Sequence, residues 1–374
     1  MKIQQQICYL TYQSFPAETA NSLQTISNIK YLVRNGADVE LIFPLREKNS
    51  NKSADEIKKY YSTTEDFKVT ALKHFLPFGR IKILEGLFFH ISHFLWSYFV
   101  VTFKIEKTNE GKFITRSDWI LYFLARKGCK VLFECHQTSK IRTIIINKLK
   151  SYPNVKFIFL NRHLQDYYKM DETNSRVLHN GVDAEMFRNS ISKLWNQREG
   201  LVFVGNLKRF NEERGIDFII DAFNNSKLLQ DCKLSIVGGP NHEAEKLEEK
   251  IRDLNLQKVI TVTGRLARSE IIEIYASSKI GILINSSSNQ HSYKYTSPLK
   301  YFEYIYMGLN VIGIDFPSHR TLPRNNEINF FQEHDASSFE VAVKQALEKN
   351  PKRDVDRENL SLDTRAKKII SLLN

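Results

Sequence analysis

The 374-residue sequence predicts an α/β protein made of two doubly wound parallel-sheet domains. Three observations carry this expectation. Short apolar, β-branched or aromatic runs alternate with helical patterns along the chain, the rhythm of parallel sheets covered by helices on both faces. The alternation breaks once, at the polar stretch AEMFRNSISKLWNQREG (184–200), and then restarts. The composition, 42% hydrophobic and 26% charged with 25 Phe and 16 Tyr, supplies large cores and excludes disordered, collagen-like and small disulfide-scaffold classes. No short-period repeat is present, which argues against solenoids and propellers.

In the first half, strands are expected at ICYLT (7–11), VELIF (39–43), KFIT (112–115), KVLFEC (130–135) and VKFIFL (155–160), with helices such as 21–35 and 138–149 between them. Residues 83–103, ILEGLFFHISHFLWSYFVVTF, form an apolar stretch long enough to span a bilayer. It contains Glu85, His90, Ser92, His93 and Ser97, groups that are costly at membrane depth. Lys73, Arg80, Lys82, Lys104 and Lys107 flank it. Three readings stay open: a buried or half-buried domain helix, which the polar residues favour, an interfacial helix on anionic lipid, and a transmembrane helix.

In the second half, strands are expected at LVFVG (201–205), KLSIVG (233–238), VITVTG (259–264), IGILIN (280–285) and NVIGID (310–315). Helical patterns at 216–224, 242–254, 269–277, 298–307 and 337–349 separate them. A last helix near 362–373 carries Leu362, Ala366, Ile369, Ile370 and Leu373 on one stripe. The expected domains are 1–190, joined by the C-terminal helix within 360–374, and 191–359.

The net charge is +12, unevenly spread. Residues 1–190 hold 28 Lys and Arg against 18 Asp and Glu, and the remainder 26 against 24. A basic half suggests an anionic partner surface, although a solvated basic face accounts for it equally well. No nucleic-acid module or aromatic-basic stacking motif is recognisable, so nucleic acid is not expected as a partner. Cys8, Cys129, Cys135 and Cys232 lack CxxC spacing and read as reduced thiols of a cytoplasmic protein. No metal site is expected. MKIQQQICYL has no signal-peptide core.

Chemistry concentrates in Tyr295-Thr-Ser-Pro-Leu-Lys-Tyr-Phe-Glu303, which follows strand 280–285. Ser297 is a good N-cap and Pro298 suits the first helical position. A helix would therefore start at the carboxyl end of a parallel strand, where ligands bind in open α/β sheets. Its amides near Leu299 and Lys300 suit an anion, and Glu303, on the Leu299 face, can accept two hydrogen bonds from a vicinal diol. Together these describe a site for a nucleoside diphosphate; the alternative is an ordinary capped helix with an exposed Glu. In Gly205-Asn206-Leu-Lys208-Arg209-Phe-Asn-Glu-Glu-Arg214-Gly215, three cations leave a strand and could neutralise a diphosphate. Alternatively, they pair with Glu212 and Glu213. Asn180-Gly181 reads as a turn, Gly238-Gly239 allows close backbone approach, and His136 follows a strand end.

The string SPLKYFEYIYMGLNVIGID, taken with VLHNGVDAEMF, LVFVGN…ERGIDFIIDAF, KLSIVGGP and VTGRL, resembles the retaining glycosyltransferases of family 4. The match runs in order over 178–349. YLTYQSFPAETANSLQTISNIKYLVRNGADVELI and KVLFECH add a fainter likeness in the first half. The resemblance, closest to SPLK-type members, implies a GT-B fold, two Rossmann-like domains facing a cleft. It implies that Glu303, at the second Glu of an E-x7-E motif, holds the donor ribose. Tyr295 stands where the first Glu contacts the donor sugar. Arg214 matches the Lys of a Lys-Gly pair and would bind the diphosphate. Asn206 replaces the usual Arg, with Lys208 or Arg209 as its substitute. His136 matches a donor-facing histidine of the first domain, and Gly264, Arg265 and Leu266 match a loop whose backbone reads the base. Pro16, Ala17, Glu18 and Thr19 occupy the acceptor-side loop that commonly carries a glycine pair.

The expected function is sugar transfer from a UDP- or GDP-type donor to a saccharide or lipid-linked acceptor, in surface-polysaccharide assembly. Retention of configuration follows from the resemblance. Metal independence agrees with the absence of a DxD-type pair, and no cofactor beyond the donor is expected. Arg214, Lys208 and His136 are the expected catalytic groups. Closure about 184–200 would exclude water. The expected location is the cytoplasm, with an anionic membrane surface as a further partner at the inner face. A nucleotide-sugar epimerase, a sugar phosphorylase and a non-catalytic donor-binding partner are the alternatives.

Overall fold

A computed structural model of the chain describes residues 5–47, 50–74, 85–106, 111–188, 193–209, 212–350 and 357–374. Arg80, Lys82, Lys107 and the side chain of Arg209 lie outside the described residues, as do 83–84 and 189–192. The chain divides into two units, 1–178 with 362–374, and 179–361. The division falls earlier in the chain than 190/191, because the first sheet ends at Val177. A bridge between Val182 and Ser361 already belongs to the second unit.

The first unit begins β1 (Gln5–Leu10), α1 (Ala20–Arg34), β2 (Ala37–Leu45), α2 (Ala54–Tyr60) and β3 (Lys68–Lys73). It continues α3 (Glu85–Phe103), β4 (Lys112–Thr115), α4 (Asp118–Lys127), β5 (Lys130–Cys135), α5 (Lys140–Leu149), β6 (Val155–Phe159), α6 (Arg162–Tyr167) and β7 (Ser175–Val177). Polar residues start the helices: Thr19, Ser53, Ser139 and Asn161 each accept a backbone amide at an N-cap. Gly128 closes α4 in the left-handed region at φ 81°. The strands form one parallel sheet in the order β3-β2-β1-β4-β5-β6-β7. β3 and β7 were not legible as strands: KVTALK carries Lys at both ends of a half-exposed edge strand, and SRV is only three residues long.

The second unit runs β8 (Leu201–Val204), a hairpin of β9 (Lys208–Arg209) and β10 (Glu212–Glu213), α7 (Ile216–Asn225), α8 (Lys227–Gln230), β11 (Leu234–Val237) and α9 (Asn241–Asp253). Then come β12 (Ile260–Thr263), α10 (Arg268–Ser277), β13 (Ile280–Leu283), α11 (Leu299–Tyr306), β14 (Asn310–Ile314), α12 (Pro317–Arg320), β15 (Asn329–Phe331) and α13 (Ala336–Glu348). Its parallel sheet is ordered β12-β11-β8-β13-β14-β15. Successive β8 residues feed opposite cores: Leu201 and Phe203 one, Val202 and Val204 the other. Both faces are therefore dry, which is why these strands read as unbroken apolar runs. The hairpin and the three-residue β15 carry no such signature.

α14 (Leu362–Leu373) returns to the first unit and packs on α1. Its Arg365 completes a buried charge cluster. Glu134 on β5 accepts from Arg365 at 2.8 Å, Arg116 at 2.9 Å and the Tyr9 hydroxyl at 3.0 Å. Burial opposes ionisation of Glu134, but the two guanidinium groups hold its pKa far below the usual range.

In the second unit, His319 is fully buried and bonds through Nδ1 to the Ile314 carbonyl at 2.8 Å. Burial lowers its pKa from 6.5 to about 4, so the folded unit holds it neutral. The unfolded chain binds this proton first, so the contribution is complete above pH 6.5 and is lost as pH falls toward 4. Between pH 6.5 and 5 the second unit should lose about 2 kcal/mol through this group. Urea unfolding of His319→Gln at both pH values checks it: the variant should show a smaller difference than wild type.

Candidate active site

In the second sheet the chain winds from β8 through β11 to β12, then from β13 through β14 to β15. β8 and β13 adjoin, and the loops leaving their carboxyl ends flank the point where strand order reverses, the usual ligand crevice of such sheets. Arg214 ties these two loops together. Its Nε donates to Asn285 Oδ1 at 2.9 Å, Nη1 to the Asn206 carbonyl at 3.0 Å and Nη2 to the Ile284 carbonyl at 3.2 Å. The guanidinium also lies 5.3 Å over the Phe203 ring. A fixed positive group therefore stands at the switch point.

Local sequence explains the placement. Glu213 accepts the amides of Gly215, Ile216 and Asp217, satisfying the first turn of α7. Gly215 turns the chain at φ 87°, a conformation glycine adopts without strain. A Cβ on Gly205 would lie 2.8 Å from Arg214 Nη1, so this glycine makes room for the cation. A Cβ on Gly238 would lie 1.7 Å from the Gly205 carbonyl oxygen, so that glycine serves the approach of two strand ends. Lys208 turns elsewhere: Nζ pairs with Glu243 on α9 at 2.8 Å. Lys208 thus pairs with Glu243 and not with Glu213, whose oxygens serve α7.

Glu303 on α11 is buried, contrary to the reading of an exposed carboxylate on a capped helix. One oxygen accepts from Arg268 at 2.8 Å; the other accepts from Lys300 and the Tyr275 hydroxyl, each at 2.8 Å. Burial pushes its pKa up, but Lys300 and Arg268 outweigh this and hold it at about 2. Glu303 is thus ionised at neutral pH. Tyr304 next to it accepts the Val204 amide and lies within electrostatic reach of both Glu303 and Arg214.

Ser297 does not cap α11. Its Oγ accepts the Asn180 amide at 3.2 Å, and its carbonyl accepts from Asn180 Nδ2 at 2.6 Å. The helix accordingly starts at Leu299 with Pro298 at the N-cap, one residue later than expected. Lys300 is turned to Glu303, and Tyr295 sits half-buried in a single wide turn before the helix. Gly264 follows β12, with exposed Arg265 against Gly239 and Leu266 packed on the core.

Two expected groups lie in the first unit. His136 follows β5, and its Nε2 has no hydrogen-bond partner. Burial, reinforced by Arg116, lowers its pKa well below 6.5 despite Glu134, so it is neutral. In the loop after β1, Ala17 bonds the Tyr61 hydroxyl through both its amide and its carbonyl, and Thr19 caps α1. Pro16 is half-buried and Glu18 exposed.

Sequence reasoning missed Asn285, Arg268 and Tyr275, which orient Arg214 and Glu303, and read Asn180 only as part of a turn and a motif, not as the partner of Ser297. Each role became visible only when separate elements were brought side by side. Among the described residues, no three His, Cys, Asp or Glu side chains converge as metal ligands.

Residues 187–361 match the family model described as glycosyl transferases group 1. The sequence matches none of the curated proteins. Among solved structures, the chain is similar to a glycosyltransferase from Rickettsia africae, with 15% identity, TM-score 0.67, and coverage of 99% of this chain and 98% of that one. It is similar to TarM at 12% identity and TM-score 0.67, covering 99% of both chains. It is also similar to Anabaena Alr3699/HepE in complex with UDP, at 13% identity and TM-score 0.65, covering 98% of this chain and 99% of that one. The fold is GT-B, two Rossmann-like parallel-sheet units.

Proposed function

We infer that this chain, whose second unit is a glycosyltransferase group 1 domain, moves a sugar from a nucleoside-diphosphate sugar to a saccharide or lipid-linked acceptor. The observation that carries the reading is Arg214, held by both loops at the switch point. When the anomeric carbon parts from the diphosphate, negative charge grows on the β-phosphate and the sugar becomes oxocarbenium-like. A guanidinium already fixed beside that oxygen stabilises the transition state more than the ground state and need not reorganise. The amides opening α11 add to this, and Glu303 accepts the ribose hydroxyls. A UDP-type donor is in keeping with the HepE complex. Retention, metal independence and a cytoplasmic role in polysaccharide assembly, where a lipid-linked acceptor would put the enzyme at the inner face of a membrane, complete the reading.

Thermal melts with a panel of UDP- and GDP-sugars test it. A donor at a hundredfold its Kd should stabilise by about 2.7 kcal/mol and raise Tm by several degrees. No shift across the panel, with no transfer, sinks the reading. Glu303→Gln should raise the donor Kd about tenfold by calorimetry. Unchanged binding removes Glu303 from the ribose. A non-catalytic donor-binding role, favoured by Tyr295 and Asn206 in place of the usual Glu and Arg, predicts donor binding with neither transfer nor hydrolysis.

A further inference from the structure

α3 is built inside out. Ser92, His93 and Ser97 face the first unit and are buried with Trp96, Val100 and Val101. Leu87, Phe88, Ile91, Phe94, Leu95, Tyr98, Phe99 and Phe103 face outward, from 36% exposed at Phe88 and Phe94 to 64% at Phe103. They recur at three- and four-residue spacing, one continuous stripe along a 19-residue helix. The stripe widens onto α4, where Phe94 and Tyr98 meet Phe123, and Phe123 meets Tyr122. Exposed apolar surface of this extent marks an interaction site.

Cations rim the stripe. Arg126 and Lys148 lie over the Tyr122 ring at 5.8 and 5.5 Å. Lys104 is exposed at the end of α3, and Lys127 donates to the Val101, Thr102 and Ile105 carbonyls there. Residues 85–150 hold eleven Lys and Arg against five Asp and Glu, and two of those acids, Glu134 and Asp118, are paired with Arg116 and Arg142. An apolar stripe in a cationic rim matches an anionic lipid surface in both respects. It opposes a second copy of this chain, since face-to-face pairing sets like-charged rims against each other.

We propose that the outward face of α3, extended by α4, docks the first unit on an anionic bilayer, lying in the interface rather than crossing it. By length and composition alone α3 could span a membrane. Spanning would tear its polar side from the protein: the Tyr12 hydroxyl bonds Ser92 and His74 at 2.8 Å, Ser92 bonds His74 at 2.9 Å, and His93 stacks on Tyr12 at 4.3 Å. Tyr12 belongs to the loop after β1 that also carries Pro16 to Thr19. Docking therefore brings that loop close to lipid, where a lipid-linked acceptor is presented. This last step rests on the sugar-transfer reading; the docking itself does not.

Co-sedimentation of the full chain with vesicles of phosphatidylcholine, with and without about one-third phosphatidylglycerol, tests the proposal. Binding is expected to the anionic vesicles, weakening at least tenfold from low to high salt. The pair Leu95→Glu and Phe99→Glu should weaken it at least tenfold, and Lys104→Glu with Lys148→Glu should weaken it with little change in melting temperature. Donor-induced thermal stabilisation in solution should be unchanged in all variants, which separates failure of docking from failure of the sugar-transfer reading. Equal binding by wild type and the Leu95/Phe99 pair overturns the proposal. So does salt-independent binding, or a dimer in solution that this pair dissociates. Detergent-requiring extraction that survives high salt and alkaline carbonate overturns the interfacial placement.

Discussion

Replacing Arg214 with Ala should lower kcat by a factor of about 10²–10³, a loss of ~2.7–4 kcal/mol of transition-state stabilisation. The size follows from the geometry. Three hydrogen bonds fix the guanidinium before any ligand arrives, so its orientation costs nothing during the reaction. Arg214→Lys keeps the charge but cannot reach Asn285, Asn206 and Ile284 together, so it should recover only part of the loss. Asn285→Ala should lower kcat by a smaller factor, because it removes one of the three restraints. Steady-state kinetics on the best donor of the panel decide this. A kcat within threefold of wild type for Arg214→Ala removes the residue from the chemistry.

The second large effect concerns stability. Glu134→Ala strips the acceptor from Arg116, Arg365 and Tyr9 at once and leaves two buried cations facing each other. Removing one partner of a buried ion cluster costs about 3–5 kcal/mol. For a unit of this size the first thermal transition should fall by roughly 10 °C. Glu134→Gln keeps one acceptor oxygen and should fall less. Because Glu134 belongs to the first unit, donor-induced stabilisation of the second unit should persist. A first transition within 2 °C of wild type for Glu134→Ala would show that the cluster carries no net stability.

The two effects differ in how far they could be foreseen. Arg214 drew notice through its resemblance to the Lys of a Lys-Gly pair, in a cationic loop after an apolar strand that announced itself by composition. The strands of both cores were legible for the same reason: buried on two faces, they must be apolar throughout. The edge strand β3 escaped notice because one side meets water, as Lys68 and Lys73 show. The cap of α11 was misplaced because Ser297 has two suitors, its own helix and Asn180, and sequence shows only the nearer one. The burial of Glu303 was not legible because its cations come from different places, Lys300 one turn back and Arg268 on α10. Asn285 and Arg365 left no trace at all, since their meaning lies in partners 71 and 231 residues away.

The return of α14 to the first unit has a consequence for biosynthesis. A nascent chain that has emerged through residue 178 lacks Arg365, and with it one of the two guanidinium groups that neutralise Glu134. Residues 179–361 are contiguous and can fold as soon as they clear the ribosome. The earlier-made half therefore cannot complete its packing until the later-made half has been synthesised.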